Sequence, residues 1–266
     1  MTGVFEAVKR GFGIASKGLG LVLIMIIVNM IGSFASMPFA ITTGQTLPPE
    51  MLTGALIFTA IFVLISIFIQ GGALGLVRDT IKEGKMKLAS FTSYGAKYYI
   101  KLLILGVLIV LIIGIVALVA ALLIAATADL NNVLISSIAI AIAIAIGVVA
   151  LLSYFIPLAL SPYALVCEEL GVIASMKRGL AVAKKPFTRV FLLLLLFVIL
   201  ILISLGVGLL FGFIVGMIGA LMPAAAAKIF MIVVTSVING YLGIVMIGSF
   251  MVYYLGLAAN TEKKVV

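Results

Sequence analysis

The sequence predicts an all-α fold: a polytopic membrane bundle of six transmembrane helices, with amphipathic interfacial helices on the cytoplasmic side. Three observations lead there. First, 65% of the 266 residues are hydrophobic and 9% are charged, against about half and about a quarter in a soluble domain, so no water-facing surface can be assembled. Second, the apolar residues gather in six runs, roughly 18–39, 52–77, 102–126, 133–156, 191–217 and 229–257, each long enough for the ~20 helical residues that cross a ~30 Å hydrocarbon core. Third, the basic residues alternate between connections. Lys9, Arg10 and Lys17 precede the first run, and Arg78, Lys82, Lys85, Lys87, Lys97 and Lys101 lie between the second and third. Lys177, Arg178, Lys184, Lys185 and Arg189 lie between the fourth and fifth, and Lys263 and Lys264 follow the sixth. Only Lys228 falls elsewhere. Lys and Arg mark the cytoplasmic loops, so both termini are predicted to be cytoplasmic, in the cell membrane, with residues 1–266 forming a single transmembrane domain.

Residues 3–17 read as an interfacial helix leading into an uncleaved first span, with Val4, Phe5, Val8, Phe12 and Ala15 on one face. The outer loop 40–50, with Gly44, Pro48 and Pro49, reads as a turn. The second span ends in Gln70-Gly-Gly-Ala-Leu-Gly75, where Gly71 and Gly75 have the spacing that permits close helix contact and Gln70 reads as an intramembrane polar anchor. Residues 79–98 are expected to lie at the interface, with Phe91, Tyr94, Tyr98 and the adjoining Tyr99 in an aromatic belt. The alternation Ser137–Gly147 sits inside a run too long for a strand and stacks Ala139, Ala143 and Gly147 on one helical face.

Pro157 and Pro162 mark a helix break at the inner end of the fourth span, because proline removes a backbone donor. A basic interfacial helix is then predicted over 170–185, with Glu168 and Glu169 as favourable charges at its start. In the fifth span, Ser204, Gly208, Gly212, Gly216 and Ala220 recur every four residues and form a stripe for helix packing, either within the bundle or between copies. The sixth span carries Asn239 near mid-membrane, where an amide needs a partner.

Val4–Ile24 aligns without gaps on Val172–Leu192, matching Lys9 with Lys177, Arg10 with Arg178, Gly11 with Gly179 and Ala15 with Ala183. The middle connection echoes this weakly. A surface helix followed by a two-span hairpin, used three times in parallel, is the unit this implies.

The stretch from Tyr154 to Val190 resembles a motif of six-helix membrane proteins that includes the membrane domain attached to some glycerophosphoryl diester phosphodiesterases and the YciC-like inner-membrane group. The matching positions are Tyr154, Pro157, Glu168, Lys177, Arg178, Lys184, Phe187, Arg189 and Val190; Gly179, Leu180, Pro186 and Thr188 depart from the pattern. The resemblance implies a six-span fold and a membrane location, without an assigned activity.

Chemistry is bounded by what is missing. The chain has no His and one Cys, which removes the usual general base and any thiolate cluster, and the eight acidic residues all lie in connections or tails. No catalytic, cofactor-binding or metal-ligating residue is predicted, and the protein is expected to be non-enzymatic. Net charge of +9 is accounted for by topology and by anionic headgroups, so nucleic acid is not an expected partner. The expected role is organisation of lipids or partner proteins through Lys9, Arg10, Lys177, Arg178, Lys184, Lys185 and Arg189, with self-association through the fifth helix. The alternative is a permease-like subunit for an apolar or neutral solute, coupled to a separate ATPase through the basic helix.

Overall fold

The structure is a computed structural model that describes residues 3–39, 48–128, 133–184, 186–218 and 223–262. Described residues form helices and turns, with no strand among them. Helix α1 (Val4–Lys17) is followed by α2 (Leu19–Ser36), α3 (Pro49–Glu83), α4 (Phe91–Ala128) and α5 (Val133–Ala150). The short α6 (Ile156–Leu158) and α7 (Ser161–Cys167) lead to α8 (Val172–Lys184), α9 (Phe187–Ile218) and α10 (Ala224–Glu262). Six segments are long and apolar enough to cross a membrane: α2, α3, α4, the stretch Ser137–Cys167, α9 and α10. Their outer faces match that environment. Val110, Leu118 and Leu209 are each more than half exposed, and only a hydrocarbon solvent makes contiguous apolar surface of this extent favourable.

Most helices outrun the predicted spans. α3 continues unbroken from residue 77 to Glu83, where Gly84 ends it in the left-handed conformation (φ 75°) that glycine adopts without strain. The interfacial segment expected over 79–98 is therefore not a helix of its own. Its first residues finish α3, Leu88–Ser90 form one 3₁₀ turn, and the rest opens α4. The physical reason is tertiary: Arg78 and Asp79 are held against Tyr94 and Tyr98, which fastens the two helix ends together.

Where the sequence reads as one domain, backbone contacts gather the chain into two compact units. One comprises Met1–Tyr99 and Leu192–Gly256, the other Ile100–Phe191 and Leu257–Val266. The first unit is built on glycine contacts. A Cβ on Gly11 of α1 would lie 2.6 Å from the Val245 carbonyl oxygen of α10, and one on Gly240 would lie 2.9 Å from the Ile26 nitrogen of α2. Gly32 of α2 receives the Phe62 ring of α3. Gly72 and Gly75, one turn apart on α3, receive the rings of Phe91 and Tyr94; the glycines that closing helices use here admit aromatic side chains. Phe197 and Phe250 stack at 5.2 Å between α9 and α10. In the second unit, the core is the hairpin of α7 and α8 with Ile156, Leu158 and Leu160 buried beneath it.

Candidate functional site

α1 hides one face and shows another. Val4, Ala7, Val8, Gly11, Ile14 and Ala15 are buried, whereas Phe5 is 73% exposed and Phe12 37%. Phe5 thus leaves the face on which the sequence groups it with Val4, Val8 and Ala15, because the closer packing offered by Ala7 and Gly11 turns the helix, while Phe12 sits at the edge of that face with its ring 6.1 Å from that of Tyr241 on α10. Phe5, Lys9 and Phe12, at i, i+4 and i+7, share one outward face. Lys9 and Arg10 are exposed, and Arg10 donates to Glu6 Oε1 at 2.7 Å.

In α8 the buried residues are Ser175, Gly179, Val182 and Ala183, the aligned counterparts of Ala7, Gly11, Ile14 and Ala15. Ile173, 65% exposed, with exposed Lys177 and Lys184 occupies the outward face. Both Lys-Arg-Gly glycines meet a serine: a Cβ on Gly11 would lie 2.1 Å from Ser249 Oγ, and one on Gly179 2.7 Å from Ser161 Oγ. Ser161 is fully buried and its hydroxyl makes no hydrogen bond among the described residues. Ser161→Ala is accordingly expected to leave thermal stability unchanged or to raise it by up to about 1 kcal/mol, since an unsatisfied buried hydroxyl is removed.

Arg178 differs from its exposed neighbours. Its Nε donates to both carboxylate oxygens of Glu168 at 3.0 Å, with side chains about one quarter exposed. Glu168 therefore closes the α7–α8 corner from the C-terminal end of α7, where the sequence places it as a charge at the start of α8. Glu169 takes the left-handed conformation, φ 53°, that reverses the chain between the two helices. Arg189 is exposed on α9, and Lys185 lies outside the described residues.

Before this corner the fourth span changes pitch. Leu151–Phe155 form a π turn, α6 spans Pro157, and the chain restarts as α7 with Pro162 in its first turn. Pro157 supplies no donor to the preceding turn, and the ring displaces its carbonyl; a widened turn accommodates this. Pro162 sits where the missing N–H has no helical partner in any case.

The charges at the α3–α4 junction form a largely buried ionic group within the first unit. Arg78 is 8% exposed. Its Nη2 lies 2.9 Å from Asp79 Oδ1, its Nη1 donates to the Tyr98 hydroxyl at 2.7 Å, and Tyr94 donates to the other Asp79 oxygen. The guanidinium lies over both tyrosine rings. Beyond this junction Lys87 donates to Glu83 at 3.1 Å, and that carboxylate holds its ammonium above the ordinary value. The sequence marks Arg78 only as a topology charge; the signal that identifies the group is Arg78-Asp79 followed at helical spacing by Tyr94 and Tyr98.

Of the predicted polar and small residues, Gln70 is exposed on α3 with no hydrogen bond among the described residues. The stripe on α9 lies differently from the close contacts of α10. The nearest atom to a Cβ on Gly208 is Thr235 Cγ2 at 4.0 Å, and on Gly212 it is the Met231 methyl at 3.6 Å. Ser204 and Gly208 instead line a cavity of about 460 Å³ together with Thr235 and Asn239 of α10. Gly216 lies in α9, and Ala220 falls outside the described residues. Gly208→Ala should therefore be tolerated, while Gly240→Ala should lower stability in detergent by the ~1–3 kcal/mol typical of overpacking, read as a lowered unfolding midpoint. Among the described residues no group of His, Cys, Asp or Glu is arranged to hold a metal, and Cys167 is buried in α7.

A family model described as domain of unknown function DUF7847 matches residues 3–257. The chain belongs to this family. The match takes in the basic helix α1, the Arg78 junction, the α7–α8 corner and the cavity of the DUF7847 chain alike. No curated protein and no solved structure matches it.

Proposed function

We propose that this protein is a non-enzymatic, multi-pass module of the cell membrane, with both termini cytoplasmic, that gathers anionic lipid headgroups on its amphipathic helices. The observation that carries the reading is the outward face of α1, where Phe5 and Phe12 flank Lys9, echoed by Ile173, Lys177 and Lys184 on α8. An aromatic or aliphatic side chain beside a lysine suits the boundary between acyl chains and headgroups, with the lysine stem reaching toward phosphate. The clustering of Lys and Arg in alternate connections supports the orientation. The aligned Lys-Arg-Gly segments support a repeated unit, and the resemblance of Tyr154–Val190 to the YciC-like group supports the location.

The structure also refines which residues to test. Arg178 is paired with Glu168, so its replacement would disturb the corner as well as any lipid; Lys9, Lys177 and Lys184 are the cleaner probes. Native mass spectrometry of the purified protein should retain phosphatidylglycerol over phosphatidylcholine. Neutralising these three lysines should weaken that retention by roughly fivefold per charge, since each is worth on the order of 1 kcal/mol near an anionic surface. Equal retention of neutral and anionic lipid, unchanged in the variant, would overturn the reading. Recovery of a nucleotide-binding protein, released by the same substitutions, would replace it with the coupling role of a transport subunit.

A further inference from the structure

The cavity between α9 and α10 lies within one unit and is bounded by two antiparallel helices, as Phe197 against Phe250 at one end and Gly212 against Met231 at the other require. Its lining runs from Phe197 to Leu209 on α9 and from Met231 to Met246 on α10. At 1.5 Å rise per residue that is a slot about 18–22 Å long. A volume of about 460 Å³ spread over that length leaves a mean cross-section of roughly 20–25 Å². One extended hydrocarbon chain fills a slot of that section, which is open along one side, where Ile201, Leu205 and Leu209 are each more than half exposed.

The lining chemistry narrows the occupant further. It carries no charge and is otherwise apolar, with Ser204, Thr235 and Asn239 as its polar side chains. Thr235 already donates to the Met231 carbonyl at 2.7 Å. Asn239 is an exposed residue of α10, about 22 Å along the helix from its start at Ala224 and inside the apolar span Ala225–Ala259. An amide at that depth finds its partner in protein or ligand. We infer that this slot binds an uncharged single-chain amphiphile, its tail lying along the Ser204–Gly208 side of α9 and its hydroxyl or carbonyl group hydrogen-bonded to Asn239.

This inference is independent of the basic helices, and its test keeps the two apart. The full chain, reconstituted in nanodiscs, is exposed to a long-chain fatty alcohol carrying a diazirine in its tail, and in a parallel arm to phosphatidylcholine carrying the same group in one tail. After illumination, the fatty alcohol should label peptides containing Ser204–Leu209 and Met231–Met246. Gly208→Phe, which fills the slot, should reduce that labelling about tenfold or more. Asn239→Leu, which keeps the volume and removes the amide, should reduce it by about fivefold. Neutralising Lys9 and Lys177 should leave it unchanged. Helix content and thermal midpoint of each variant report whether it is folded; Asn239→Leu suits an apolar helix and is the variant that decides if Gly208→Phe unfolds. Equal labelling by phosphatidylcholine that Asn239→Leu does not alter would overturn the inference in favour of ordinary bilayer solvation. Cross-links between copies at position 204 or 208 would overturn it in favour of self-association, and absence of label from both segments would overturn it outright.

Discussion

Arg78→Ala is expected to lower stability by about 3–5 kcal/mol, the cost of leaving a buried charge without its partner. The Arg78 and Asp79 side chains are 10% and 16% exposed, so solvent screens the pair weakly, and removing the cation strands Asp79 beside the Tyr94 ring in an apolar surrounding. The same change deprives Tyr98, fully buried, of the guanidinium that donates to its hydroxyl. Because these four side chains join the end of α3 to the first turns of α4, the variant should lose that attachment before it loses helix content. Detergent-solubilised protein should show an early loss of near-ultraviolet tyrosine ellipticity with far-ultraviolet signal retained. Replacing both charged residues, as Arg78→Met with Asp79→Leu, should recover most of the loss, since an apolar pair of similar volume is often no worse than a buried ion pair. A double variant as unstable as the single one would show that the tyrosine contacts, rather than the charges, hold the junction.

Gly11→Leu is the second change of large expected effect. A Cβ at this position already falls within 2.6 Å of a backbone oxygen of α10, and neither a carbonyl nor the helix behind it can step aside cheaply. Even Gly11→Ala should cost about 1–3 kcal/mol by overpacking, and the larger side chain should undock α1. Gly13, two residues on in the same helix, has no atom within 4 Å of its Cβ position. Gly13→Ala should be neutral or stabilising by about 0.5–1 kcal/mol through helix propensity alone. The contrast separates packing from propensity within a single helix, and protease accessibility of α1 reads it directly.

Hydropathy makes the fold class legible because a membrane helix must satisfy its own backbone, so length and apolarity suffice to find it. The six spans are therefore visible in the sequence, and each coincides with a helical segment of the structure. Their ends are less visible. Residues 78–83 read as the start of an interfacial connection because they are charged, yet the helix of α3 continues through them, where Tyr98 of α4 accepts from Arg78 and Tyr94 donates to Asp79. A window of hydropathy holds no information about that partner helix. The glycines show a similar limit. Regular spacing draws attention to Ser204, Gly208 and Gly212, but much closer approaches occur at Gly11 and Gly240, outside that stripe. Spacing identifies a smooth face; whether a neighbour presses on it or leaves a slot depends on the bulk across the way, here Thr235 and Met231. The exposed polarity of α1 and α8 is legible in its positive charge, while the outward turn of Phe5 and the seat of Phe12 beside Tyr241 follow from a partner, α10, far along the sequence.

That pairing of α1 with α10 has a temporal side. Gly11 finds its seat between Val245 and Ser249, residues that leave the ribosome only after almost all the intervening spans. At synthesis rates of about 5–20 residues per second, the apolar side of α1 waits on the order of ten seconds or more before its partner is threaded into the bilayer. During that interval Val4, Ala7, Ile14 and Ala15 need another shelter, and the membrane surface beside the translocation machinery is the nearest. α10 is thus the helix that gives the buried face of α1 its seat, and a ribosome stalled before α10 would leave that face without its protein partner.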